Sequence, residues 1–353
     1  MADSIFPSID KVEQAESLAG MGEPNSRMAY SDRVAWQMAC YSELAYLKFD
    51  EPKVDERVLA KLEELFKGRI KHKKLKKVLP ALEILSHDPV EQKERLQSDL
   101  SVLNISLVRT FSCGNTQAIL LESEKYVVLS FRGTEATCIG DIKSDVSAST
   151  IDCVTAGKVH SGFSAAFNLV ESEVIAALED HGLREKPLYF TGHSLGGALA
   201  TIAAKRITHE GGNAACYTFG APRVGDDTWI SEIKTPIYRL VNAADGVTMM
   251  PPGHAFIQTL SWILRLIPSV GISASSWILS RFSGYIHGGN MRYLTNCRKG
   301  NFKKVKLLYS VNIFYRAKGM FFNKIPWMNV LSDHSISTYR DKLETIAVMR
   351  NDQ

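Results

Sequence analysis

The stretch PLYFTGHSLGGALATIAAKRI, Pro187 to Ile207, constrains this chain more than any other. It opens on an apolar run, passes through Gly192-His193-Ser194-Leu195-Gly196, and continues rich in Ala, Leu and Ile. A bare Gly-x-Ser-x-Gly pattern is weak. Between a predicted strand and a predicted helix it is the signature of a nucleophile elbow, a sharp turn that lifts a serine Oγ above a sheet. The glycines are needed because a side chain there would collide with neighbouring backbone. Gly197 and Ala198 keep the following helix close to the strand. That helix start offers free N–H groups and a positive dipole end, which suit a developing oxyanion.

The surrounding sequence supplies the rest of such a fold. ISLVRTF, TQAILLES and KYVVLSFRGT read as strands separated by turn residues. SGFSAAFNLVESEVIAALEDHG reads as one helix ending at Gly182, KPLYFTG as a strand, and LGGALATIAAKRITHEGG as a helix ending in glycines. AACYTFGAP and TPIYRLVNA are strands again. This alternation predicts an α/β fold with a mostly parallel central sheet flanked by helices.

Residues 1–27 are polar and Gly/Pro-punctuated and are expected to form a flexible arm. SDRVAWQMACYSELAYL follows as an amphipathic helix capped by Ser31 or Asp32. Residues 51–100 read as a helical insertion with a basic cluster, Lys67, Arg69, Lys71, Lys73, Lys74, Lys76 and Lys77. The cluster fits a solvated helix face or contact with anionic headgroups.

The net charge of +4 is too small to suggest nucleic acid. The six cysteines show neither CxxC nor His spacing, so they imply neither a zinc site nor a disulfide framework. Cys138 and Cys153 flank one loop, and their pairing stays open. The first residues lack a basic region followed by an apolar stretch. On that ground the expected location is cytoplasmic, or external by a non-classical route, in association with lipid surfaces.

A reactive serine needs a base, and the base needs an orienting acid. Behind this elbow the chain order is serine, acid, histidine. Asp226 and Asp227 lie several residues past their strand, whereas Asp245 follows its strand almost directly and is preferred. Among later histidines, His209 suits a helix C-terminus and His254 the start of a loop. His287 and His334 both remain, with position modestly favouring His334.

At this point the chain resembles the class 3 lipases, the fungal-lipase-like branch of the α/β-hydrolases. The matching pieces, in order, are VVLSFRGTE, VHSGFSAAF, YFTGHSLGGALA, YTFGAPRVGD, YRLVNAADGVTMMPP, YIHGGNMRYL and SDHSISTY. The resemblance implies Ser194 as nucleophile, Asp245 as acid and His334 as base. It makes His287 structural. It gives the oxyanion hole to the backbone N–H groups of Thr134 and Leu195. His193 is read as packing support for the elbow. The implied activity is hydrolysis of lipid esters through an acyl-enzyme, with acylglycerols ahead of phospholipids. A catalytically silent membrane-binding scaffold is the reading from another class. No metal or organic cofactor is required. The expected partners are the lipid ester and a peripheral membrane or lipid-droplet surface. Residues 28–353 are then one α/β-hydrolase domain with helical insertions at 51–100 and 253–284. Residues 135–150 correspond to the family's lid, though they are polar for one.

The chain departs from the family after Pro252, where a short connection becomes AFIQTLSWILRLIPSVGISASSWILSRF. Pro268 and Gly271 break this apolar stretch near its middle, and Arg265 interrupts its first half. A membrane-spanning helix needs about 20 apolar residues, and a central Arg costs about 2.5–3.5 kcal/mol. A hairpin packed on the core is another reading. The favoured one is a short apolar helical hairpin beside the active-site mouth, with Trp262, Leu266, Ile267, Trp277 and Ile278 meeting substrate or interface.

Overall fold

The computed structural model describes residues 4–20, 29–47, 89–133, 150–153, 156–243, 245–268, 271–282, 284–298, 300–312, 315 and 333–351. Thr134, Cys138, the basic cluster at 67–77 and nearly all of the loop at 135–150 lie outside these residues. The chain divides into two compact units, Met1–Tyr46 with Leu100–Gln353, and Leu47–Asp99.

In the larger unit an eight-stranded sheet runs in the order β1-β2-β3-β6-β7-β8-β9-β10. Its strands are β1 (Ser106–Cys113), β2 (Thr116–Glu122), β3 (Val127–Phe131), β6 (Leu188–His193), β7 (Asn213–Phe219), β8 (Ile237–Asn242), β9 (Asn290–Leu294) and β10 (Leu307–Tyr309). Strands β3, β6, β7, β8 and β9 are mutually parallel, and the pairings at both ends of the sheet are antiparallel. A small ribbon pairs β4 (Thr150–Asp152) with β5 (Lys158–His160). The fold is that of an α/β-hydrolase.

The helices of this unit are α1 (Ile9–Gly20), α2 (Asp32–Leu44), α4 (Ser161–Asn168), α5 (Glu171–Leu178), α6 (His181–Arg184), α7 (Leu195–Arg206), α8 (Asp227–Ser231), α9 (His254–Leu264), α10 (Gly271–Phe282) and α11 (Ile336–Asn351). In the smaller unit the described residues belong mainly to α3 (Pro89–Val102).

Every residue of β3, β6 and β8 is buried, as expected of a parallel strand covered on both faces. Alternation along β6 sorts its neighbours. Leu188 and Phe190 join the core beneath α7 with Phe131, Leu199 and Ala203. Burying one such side chain contributes about 1.5–3 kcal/mol. Thr191 and His193 point the other way, toward α2 and its end. There Thr191 Oγ1 lies 2.9 Å from Ser42 Oγ, and the His193 ring meets Tyr46.

Several local expectations change in three dimensions. The expected N-terminal arm contains α1, held by buried Ala15 and Leu18 and by a Lys11–Glu344 ion pair of 2.6 Å. Ser31, not Asp32, caps α2, accepting from the Val34 N–H. The single helix expected after β5 is broken into three. The Val170 N–H bonds tightly back to the Phe167 carbonyl, and Asp180 starts a new turn by accepting from the Gly182 N–H. Helix α7 stops at Arg206, short of the glycines, because Ile207 is extended. His209 therefore lies beyond the helix, where its Nε2–H donates to the Lys186 carbonyl at 2.8 Å.

Candidate active site

Ser194 sits between β6 and α7 with φ 57° and ψ −127°, a conformation that L-residues rarely adopt. The elbow exists because nothing larger than hydrogen fits around it. A Cβ on Gly192 would lie 2.3 Å from the carbonyl carbon of Gly196. A Cβ on Gly196 would lie 2.2 Å from the Phe131 carbonyl oxygen. Strand, turn and helix are thus pressed together at the carboxyl end of the central strands.

Three loops converge on this turn. His334 Nε2 is 2.9 Å from Ser194 Oγ, and His334 Nδ1 is 3.0 Å from both carboxylate oxygens of Asp245. Asp245 lies three residues after β8, and His334 two residues before α11. All three side chains are buried. The carboxylate also accepts from the Val247 N–H at 3.0 Å and from the Tyr339 hydroxyl at 2.6 Å. With Nδ1–H directed at the carboxylate, Nε2 presents its lone pair to the serine.

His193 does more than pack. Its Nε2 bonds to the His334 carbonyl oxygen, which can only accept, so Nε2 carries the proton. Its Nδ1 then accepts from the Tyr46 hydroxyl at 2.8 Å. The ring lies 4.5 Å from that of His334. Burial, and secondarily the neighbouring His334, hold the His193 pKa well below the usual 6.5. The ring is therefore neutral and fixes the His334 backbone.

At the start of α7 the Leu195 N–H has no hydrogen-bond acceptor among the described residues, as helix geometry requires of a first-turn donor. Thr134 lies outside the described residues, so the other expected oxyanion donor has no described geometry.

The competing candidates have other duties. Asp226 caps α8 by accepting from the Trp229 N–H at 2.9 Å. Asp227 is the first residue of that helix. His254 opens α9 rather than a loop. His287 donates from Nε2 to the Thr248 carbonyl at 2.6 Å, and Thr248 Oγ1 donates to the Asp245 carbonyl at 2.9 Å. His287 thereby steadies the loop that carries the acid. Sequence reasoning missed Tyr339, Tyr46 and this linkage, because no motif ties residues that far apart.

The apolar insertion forms the hairpin α9–α10. No helix among the described residues is long and apolar enough to cross a membrane. Trp262, Leu266, Ile267 and Trp277 are exposed, and Ile278 is half-buried. The root of the hairpin is held by buried Ile257 and by a bond from the His254 N–H to the Tyr285 carbonyl.

The family profile "Lipase (class 3)" matches residues 128–255. The chain is 30% identical over 162 residues to "Secreted mono- and diacylglycerol lipase 1" of Fusarium solani, 44% of this chain and 49% of that protein. It is 29% identical over 164 residues to "Phospholipase A(1) DAD1, chloroplastic" of Arabidopsis thaliana, 39% of this chain and 36% of that protein. The chain spans half or less of the length of these relatives. Lipase II from Rhizopus niveus superposes with a TM-score of 0.51 at 19% identity, over 87% of this chain and 94% of that one, a likeness of fold.

The Fusarium relative is named as secreted, which overturns the expectation of a cytoplasmic or non-classically exported protein. That expectation rested on a missing pattern in the first residues, and a missing pattern carries no positive information about location. The motif order and the profile match agree: over residues 128–255 the chain is similar to the class 3, fungal-lipase-like lipases, and its sheet is that of an α/β-hydrolase.

Proposed function

We propose that this protein is a serine-dependent lipid ester hydrolase acting on acylglycerols. The observation that carries the reading is the unbroken hydrogen-bonded path from Ser194 Oγ through His334 to Asp245. In the reaction His334 takes the Ser194 proton as Oγ attacks the ester carbonyl. Asp245 holds the imidazole tautomer and stabilises its cation. The Leu195 N–H, with Thr134 as the partner the family resemblance implies, receives the tetrahedral oxyanion. His334 then protonates the leaving alcohol, and water repeats the sequence on the acyl-enzyme. The chemistry draws on side chains and backbone alone. Trp262, Leu266, Ile267, Trp277 and Ile278 meet the lipid phase that holds the substrate.

The acylglycerol reading draws support from the Fusarium relative, whose name specifies mono- and diacylglycerols. Phospholipase A chemistry at an anionic membrane surface is the competing reading, favoured by the name of the Arabidopsis relative.

The test is hydrolysis of defined tri-, di- and monoacylglycerols and phospholipids, alongside labelling by a fluorophosphonate. Labelling and turnover are expected to vanish in Ser194→Ala, with a rate loss on the order of 10⁴-fold or more. Folded wild-type protein that neither labels nor turns over would leave a membrane-binding scaffold. Release of fatty acid from phospholipid alone would favour the phospholipase.

A further inference from the structure

The hairpin α9–α10 is arranged inside out. Its helix–helix seam is polar: Ser261 and Ser275 are buried with hydroxyls 2.7 Å apart, and Arg265 Nε donates to Ser275 Oγ at 3.0 Å. The helices also meet closely at their turn, where a Cβ on Gly271 would lie 2.0 Å from the Leu264 carbonyl oxygen. The outer face is apolar. Phe256, Trp262, Leu266, Ile267, Ile272 and Trp277 are 47–73% exposed. A hairpin built for water directs apolar residues inward and polar ones outward. Small and hydroxyl residues in the seam with apolar residues outside are what a lipid environment selects.

Length limits the depth. At about 1.5 Å per residue, α9 and α10 are about 17 and 18 Å long, against a hydrocarbon core of about 30 Å. The pair reaches into one leaflet and no further. Two tryptophans on the outer face suit the headgroup boundary.

Charge identifies the leaflet. Between Asp245 and Asp333 there is no Asp or Glu, but there are eleven Lys and Arg. With 42 basic and 38 acidic residues in all, the rest of the chain is net −7. Within the acid-free segment, the loop between β9 and β10 carries Arg298, Lys303, Lys304 and Lys306, all exposed. None of the four has a carboxylate partner among the described residues. This loop leaves the sheet at Leu294, which pairs with Asn242, the end of β8 from which the chain continues to Asp245 and on to the hairpin. A basic loop and an apolar hairpin thus leave the sheet at the same end as Ser194.

We propose that the α9–α10 hairpin is a one-leaflet anchor for an anionic phospholipid surface, with the β9–β10 loop supplying the charge selection. The proposal deepens the lipid-hydrolase reading and rests on it for its biological purpose, while its binding test is independent of turnover.

The experiment uses full-length Ser194→Ala protein and vesicles of phosphatidylcholine, with and without about one third phosphatidylglycerol. Binding is expected to be on the order of tenfold or more tighter to the anionic vesicles. Joint Lys303→Gln, Lys304→Gln and Lys306→Gln substitution is expected to remove most of that difference. Leu266→Asp, at an exposed position, is expected to abolish binding without changing thermal unfolding. Tryptophan fluorescence should be quenched more by lipids brominated near the headgroup than near the chain end, and Trp262→Phe with Trp277→Phe should remove the quenching. Equal binding to both vesicles, no binding by folded protein, or a lipid-free dimer that covers Trp262 and Trp277 would overturn the proposal. Vesicle insertion in a protein whose wild type hydrolyses no lipid ester would leave the anchor standing and remove the hydrolase reading.

Discussion

The Tyr339 hydroxyl donates to Asp245 Oδ2 at 2.6 Å and accepts from the Asn242 N–H at 2.9 Å. One buried phenol therefore bridges the carboxylate to the last residue of β8. It stands five residues after His334, so α11 positions both the candidate base and a clamp on its acid.

Tyr339→Phe removes both bonds while keeping the ring. A hydrogen bond to a charged group contributes about 1.5–3 kcal/mol, so kcat on a soluble ester should fall about 10–100-fold. Stability should fall by about 1–3 kcal/mol, since the Asn242 N–H loses its buried acceptor. Steady-state kinetics and urea unfolding check the two effects. An unchanged kcat beside lowered stability would reduce Tyr339 to a structural role.

His193 carries a stability effect of definite sign. Its folded pKa lies well below 6.5 because burial disfavours the cation. As pH falls through about 6.5 the unfolded chain takes up a proton that the folded chain refuses, so stability drops. The slope from this one group is at most about 1.4 kcal/mol per pH unit. Above about pH 7 the group contributes no pH dependence. His193→Gln should flatten the stability profile below pH 6.5, measured by urea unfolding at several pH values. The same acid slope in the variant would remove His193 as its source.

Gly220 tests how tightly the site is enclosed. It has φ 60°, and a Cβ there would lie 2.6 Å from Asp245 Oδ2 and 3.0 Å from His334 Nδ1. Gly220→Ala must displace the acid–base pair. Misplacement of about 1 Å costs on the order of 10²-fold in rate, which soluble-ester kinetics would reveal. Retention of full activity would mean that the pair can shift without consequence.

The hairpin can be removed above its root. Deletion of residues 258–281, which keeps Ile257 and Tyr285, should reduce activity on emulsified or bilayer lipid far more than on a soluble short-chain ester. Equal losses on both substrates would count against an interfacial role.

The sequence by itself determined whatever depends on neighbours along the chain. The strand–turn–helix around Ser194 was legible because Gly192 and Gly196 admit one local geometry, and β3, β6 and β7 because they are short, mainly apolar runs bounded by turn residues. The acid and base were legible only as candidates until motif order distinguished them. Tertiary structure decided what joins distant segments. It brought His334 to Ser194 across 140 positions and gave His193 a second bond to the His334 backbone. It assigned His209 and His287 to loop carbonyls, and turned the apolar insertion outward with its serines in the seam. Periodicity reports which face of a helix is apolar. Whether that face meets core, solvent or lipid depends on what the rest of the chain covers, and only the folded molecule specifies that.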